Sequence, residues 1–151
     1  MGNILFLCTG NSARSIMAEA YMNHAGAARW RAYSAGSKPV GAPNRFALET
    51  LERAGVPVKA GDGAPRSKSW EEFARADAPL MDVIVTVCDN AAGKPCPVWP
   101  AKEGAAPAKL HWRFPDPAAA EGSDDDKREA FEACFQSIRM RIDEFLKEPA
   151  T

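Results

Sequence analysis

Asn3 to Ser15 reads NILFLCTGNSARS, and the fold follows from it. Four apolar residues, Ile4 to Leu7, run directly into Cys8. Thr9, Gly10, Asn11, Ser12 and Ala13 come next, then Arg14, and a helical pattern starts at Ser15. The stretch predicts a buried strand, a tight loop of small residues and a helix N-terminus. Such a loop can curl until its backbone N–H groups face one centre, and the positive end of the helix dipole strengthens that anion nest. Arg14 can set two N–H donors on two oxygens of a tetrahedral oxyanion. Cys8, at the floor of the same cradle, sits in a field that favours thiolate, so a lowered pKa is expected. A thiolate beneath a phosphate-like oxyanion is a nucleophile aimed at its central atom. Ser12 and Ser15 can donate hydroxyl hydrogen bonds to the sulfur. The plain alternative is a buried, inert cysteine after a first strand.

The bulk properties bound what surrounds this stretch. The chain has 151 residues, 46% apolar and 26% charged, which predicts one domain over 1–151 with a real core. A formal net charge of −1 gives no bias toward nucleic acid or an anionic membrane. No apolar run approaches a membrane span, and the first residues lack a basic n-region and cleavage site, so a cytoplasmic location is expected; a monomer is expected separately. Four cysteines then read as chemistry or burial rather than as disulfide staples.

Outward from the loop, Ser15 to Ala25 has apolar residues near helical spacing, and His24 reads as a solvated cation at the helix end. Trp30 to Ser34 is a short second strand. Asn44 is a fair N-cap for a helix through about Ala54, with Phe46, Ala47, Leu48, Leu51 and Ala54 inward, and Gly55 ends it. Ser69 caps a short helix through Ala76. Asp82 to Val87, DVIVTV, is the clearest buried strand and runs into Cys88; in parallel sheets ligands sit at strand ends, so Cys8 and Cys88 are expected at one edge. Cys88 and Cys96 flank a Gly- and Pro-containing loop, suited to thiol exchange, which needs sulfurs to approach one after another. Two unreactive loop cysteines are the alternative. Lys127 to Leu146 forms the last helix, with Cys134 on its apolar face as core, behind an acidic run at Asp124 to Asp126. Asp116 lies between Pro115 and Pro117, which restrict the loop and can present its carboxyl as a general acid; a turn aspartate is the alternative. His111 and Trp112 read as packing residues. Together these elements predict a three-layer α/β domain: a four-stranded parallel sheet flanked by helices on both faces.

CTGNSARS, preceded by a strand and followed by IMAEAY, resembles the active-site loop of low-molecular-weight protein tyrosine phosphatases. It resembles more closely the thioredoxin-coupled arsenate reductases built on that fold. The phosphatases usually end the loop Cys-Arg-Ser-Pro, whereas Ala13-Arg14-Ser15-Ile16 is nearer the reductase form. The resemblance covers most of the chain. It implies oxyanion binding by Thr9, Gly10, Asn11, Ser12, Ala13, Arg14 and Ser15, and a general-acid role for Asp116. Thr86-Val87-Cys88 and Cys96-Pro97 look like the family's Thr-Leu-Cys and Cys-Pro elements, with one extra residue between the cysteines. The implied reaction is arsenate to arsenite through a Cys8-Cys88-Cys96 disulfide relay, regenerated by thioredoxin or a similar dithiol, with no bound redox cofactor. Residues matching Asn11, Glu19 and Ser34 help the family's loop keep its shape, in some members with a potassium ion. Where some reductases have an acidic potassium ligand, this chain has Lys68. Two readings stand there: an ammonium that replaces the ion and pairs with Glu19 and Asn11, or a solvated lysine. The alternative functions are a phosphatase acting on aryl phosphates through a Cys8 phospho-enzyme, which would not need Cys88 or Cys96, and a non-enzymatic oxyanion-binding or redox-sensing module. Ala118 to Ala120 stand where the phosphatases carry tyrosines.

Overall fold

The apolar run that opens the chain becomes an inner strand of the sheet. In a computed structural model, which describes residues 2–58, 66–73, 78–87, 107–117 and 120–147, β1 (Gly2–Cys8) lies between β2 (Trp30–Gly36) and β3 (Val83–Thr86). β4 (Ala108–His111) pairs with the outer side of β3, and all pairings are parallel, in the order β2-β1-β3-β4. Ile4 to Leu7 are wholly buried. A strand covered on both faces reads as a continuous apolar run rather than an alternating one.

The covers are α1 (Arg14–Ala25), α2 (Arg45–Arg53) and α3 (Asp124–Lys147), with a 3-10 helix over Trp70–Phe73. Ser34 turns toward α1, where its hydroxyl donates to Glu19. Its neighbour Tyr33 points to the opposite face and meets the ring of Phe73 at 5.5 Å. The expected three-layer arrangement is therefore present. α3 binds the first cover together: Phe131 packs on Phe46, Phe135 on Tyr21, and Phe145 on Trp30 and Trp112.

Local chemistry sets the helix ends. The Asn44 side chain accepts from the Phe46 N–H at 2.8 Å. Gly55 takes φ +73°, and bonds from Val56 N–H to Leu51 and from Gly55 N–H to Glu52 close α2. Ser123 and Asp126 cap α3 reciprocally: the Asp126 N–H donates to the Ser123 hydroxyl, and the Ser123 N–H to the Asp126 carboxylate.

Several expectations need correction. Ala54 is exposed and Leu48 half-buried, whereas Thr50 is buried because its hydroxyl folds back onto the Phe46 carbonyl. The second strand continues past Ser34 to Gly36. The helix expected from Ser69 is a 3-10 turn as far as Phe73, and residues 74–77 lie outside the described ones. Trp112 is buried as expected, but His111 is an exposed strand residue paired with Thr86 at 2.6 Å. His24 is exposed and Cys134 is buried, as read from the sequence.

Candidate active site

β1 delivers Cys8, 2% exposed, to the carboxyl edge of the sheet. The chain then has to turn back on itself, and the turn is held by its carbonyls. Those of Cys8, Thr9, Gly10 and Ser12 accept from the N–H groups of Ser37, Lys38, Val40 and Asn44. The Ser67 hydroxyl also donates to the Gly10 carbonyl at 3.0 Å. Carbonyls drawn outward leave the loop's N–H groups to face inward, which is the arrangement of an anion nest. The segment from Ser37 to Asn44 is thus the clamp on the site. It works through main-chain atoms, which leave no mark in side-chain pattern.

Asn11 takes φ +48°, a left-handed conformation that asparagine tolerates better than most residues. Its N–H then donates to the Cys8 sulfur at 3.2 Å, and its side-chain amide to the Ser15 hydroxyl at 2.9 Å. The Ser15 hydroxyl lies 2.8 Å from the sulfur. Donors aimed at sulfur favour the thiolate. Ala13, at the N-cap of α1, has no side chain able to cap, so the first-turn N–H groups are available to an anion. Gly36 is needed behind this loop: a Cβ there would meet the Thr9 carbonyl at 2.5 Å.

Beneath the loop, Glu19, Ser34, Asn11 and Lys68 come together, all nearly or wholly buried. The Ser34 hydroxyl donates to Glu19 at 2.9 Å. The Lys68 ammonium lies 3.9 Å from the other Glu19 oxygen, with both side chains fully buried, and donates to the Arg66 carbonyl at 3.3 Å. The solvated-lysine reading is therefore set aside. The expected pairing with Asn11 is corrected in one respect: the Lys68 main-chain N–H, not its ammonium, reaches the Asn11 side-chain oxygen, Oδ1, at 2.8 Å. These residues do not fit a bound potassium ion, because a second cation against Glu19 would stand beside a buried ammonium. Among the described residues no group of three or more His, Cys, Asp and Glu could hold a metal.

Across the mouth, Arg14 donates to the Phe114 carbonyl at 3.0 Å, and its other terminal nitrogen lies 3.7 Å from the Asp116 carboxylate. Asp116 is 47% exposed on its side chain and Arg14 13%. Cys134 stands behind this segment, its thiol toward the Pro115 carbonyl at 3.8 Å. Burial pushes the Cys134 thiol up to about 11, with Arg14 pulling it down and Asp116 adding to the rise. Cys134 is thus an inert support under the acid-bearing segment. Sequence placed it in the core but gave no sign of this contact. Cys88 and Cys96 lie outside the described residues. The last described residue before them, Val87, donates its N–H to the Leu7 carbonyl at 2.8 Å, beside Cys8.

Residues 3–150 match the family described as low molecular weight phosphotyrosine protein phosphatase, and the chain belongs to that family. Within it, the chain is similar to the arsenate reductase of Shouchella clausii, at 35% identity over 94% of this chain and 93% of that protein. The crystal structure of an arsenate reductase from Archaeoglobus fulgidus has a TM-score of 0.70 and 26% identity, covering 96% of this chain and 99% of that one. A thioredoxin-dependent arsenate reductase of Corynebacterium glutamicum has a TM-score of 0.62 at 25% identity, covering 98% of this chain and 64% of that one.

Proposed function

We propose that this protein reduces arsenate to arsenite with electrons from its own thiols, acting in the reducing cytoplasm. The observation that carries the reading is the cradle at Cys8: a buried sulfur with the Asn11 N–H and Ser15 hydroxyl on it and Arg14 at the mouth. Similarity to arsenate reductases over nearly the whole chain supports reduction over simple hydrolysis. In this reading Thr9 to Ser15 hold the oxyanion, Arg14 forks onto two of its oxygens, and the Cys8 thiolate forms a bond to arsenic. Asp116 gives a proton to the oxygen that departs as water. The Cys88 thiolate then attacks the Cys8 sulfur. The electron pair of the arsenic–sulfur bond stays on arsenic, which leaves as arsenite, and a Cys8–Cys88 disulfide remains. Cys96 attacks Cys88, frees Cys8 and leaves a Cys88–Cys96 disulfide. Thioredoxin, or a dithiol like it, reduces that bridge, as the name of the Corynebacterium relative suggests. Val87 is hydrogen-bonded next to Cys8 and Cys88 is the next residue in sequence, which supports the first exchange.

The test is NADPH consumption with arsenate, thioredoxin and thioredoxin reductase, for wild type, Cys88→Ser and Cys96→Ser, with p-nitrophenyl phosphate hydrolysis measured on the same samples. The expected result is sustained arsenate turnover that either substitution abolishes while hydrolysis survives. Fast hydrolysis with no arsenate turnover would instead make the protein a phosphatase.

A further inference from the structure

We infer that the Lys68 ammonium is a built-in counter-ion of the anion loop, and that this protein runs its Cys8 chemistry without any monovalent cation. The inference rests on Cys8 as the nucleophile, but not on arsenate as the substrate. A glutamate wholly removed from water requires a partner of opposite charge. Here the ammonium lies 3.9 Å from Glu19, and its own donors meet the Arg66 carbonyl. The face of the Phe73 ring is 5.9 Å from the same nitrogen, close enough to stabilise a cation. The place is therefore cradled by a carboxylate, a carbonyl and an aromatic face, and a tethered cation already stands in it.

The connection to the nucleophile is continuous. The Lys68 main-chain N–H fixes the Asn11 side-chain oxygen, the Asn11 side-chain NH2 fixes the Ser15 hydroxyl, and that hydroxyl and the Asn11 main-chain N–H both meet the Cys8 sulfur. Asn11 holds a left-handed backbone that its surroundings must enforce. Removing the ammonium would take from the buried Glu19 carboxylate the cation 3.9 Å away, and the strand of contacts above it would shift. Lys68 is thus a positioning residue. A diffusible cation of suitable size could replace it only in the space left by its removal.

The experiment compares wild type, Lys68→Ala, which leaves a space, and Lys68→Met, which fills it without charge. Each is assayed in sodium and in potassium chloride at equal ionic strength. Three quantities are read: the rate of Cys8 alkylation by iodoacetamide followed by peptide mass, p-nitrophenyl phosphate hydrolysis, and Tm. Wild type should not distinguish the two salts. In sodium, Lys68→Ala should lose on the order of tenfold in both Cys8 rates, and potassium should restore most of the loss and raise Tm. Lys68→Met should lose as much and gain nothing from potassium. Wild type stimulated by potassium over sodium would overturn the inference. So would a Lys68→Ala loss that potassium leaves untouched, since Lys68 would then be an ordinary structural lysine. Wild-type Cys8 that alkylates no faster than a free thiol would instead remove the reading of Cys8 as nucleophile, which separates the two failures.

Discussion

Two ion pairs flank the anion loop at nearly equal separations, 3.7 Å for Arg14–Asp116 above it and 3.9 Å for Lys68–Glu19 below. Their surroundings are opposite. The Asp116 side chain is 47% exposed, whereas neither side chain of the lower pair touches solvent. Above, water and salt screen the attraction, and the two groups can exchange each other for a substrate anion and its departing oxygen. Below, both ions have been stripped of water, and neither can leave without stranding the other. Separation alone therefore says little about what an ion pair does. In the proposed function the exposed upper pair does the chemistry, and the buried lower pair holds the loop in shape.

Breaking each pair from one side should expose that difference. Arg14→Lys keeps the charge but loses the fork. It should lower kcat/KM for either substrate on the order of 10³-fold while changing stability by less than about 1 kcal/mol, seen by steady-state kinetics beside thermal melts. Glu19→Leu should do the reverse in its primary effect, costing about 3–5 kcal/mol of stability in denaturant titration because it strands the Lys68 ammonium. Equal losses of stability from the two changes would erase the contrast. Asp116→Asn should cost on the order of 10²-fold in kcat with Tm unmoved, and the loss should be larger for phenyl phosphate than for p-nitrophenyl phosphate, whose leaving group needs less help from an acid. The smallest effect concerns Cys134. With its thiol raised from 9.0 to about 11, the neutral form is the one that folding favours. Its contribution to stability is full below the ordinary value and is lost as pH rises through about 11. At pH 8 native Cys134 should carry about 100-fold less thiolate than an ordinary cysteine, so iodoacetamide should spare it until the protein is unfolded.

The inner strand was legible because an apolar run ending in a cysteine and small residues fits few structures, and Ile4 to Leu7 are buried on both faces accordingly. Cap chemistry was legible for the same local reason at Asn44, Gly55 and the acidic run of α3. β4 was not. Ala108, Lys109, Leu110 and His111 are all exposed on an edge, and an apolar–polar alternation over four residues is too short to mark a strand, so pairing with β3 is what makes them one. Ala54 was misplaced because helical spacing was carried past the last turn, where the chain already bends away at Gly55.

At the site, the proposed chemistry was legible in residue type and spacing along one segment: a cysteine, five small residues and an arginine at a strand-to-helix turn suit an oxyanion cradle. Three things were decided only by the tertiary structure. It turned the loop carbonyls onto Ser37 to Asn44, stood Lys68 against Glu19 instead of in water, and set the segment from Phe114 to Asp116 between Arg14 and Cys134. The physical reason is common to all three. Each depends on main-chain bonds or burial between segments far apart in sequence, and a charged side chain reads the same in sequence whether solvent or a buried partner will meet it.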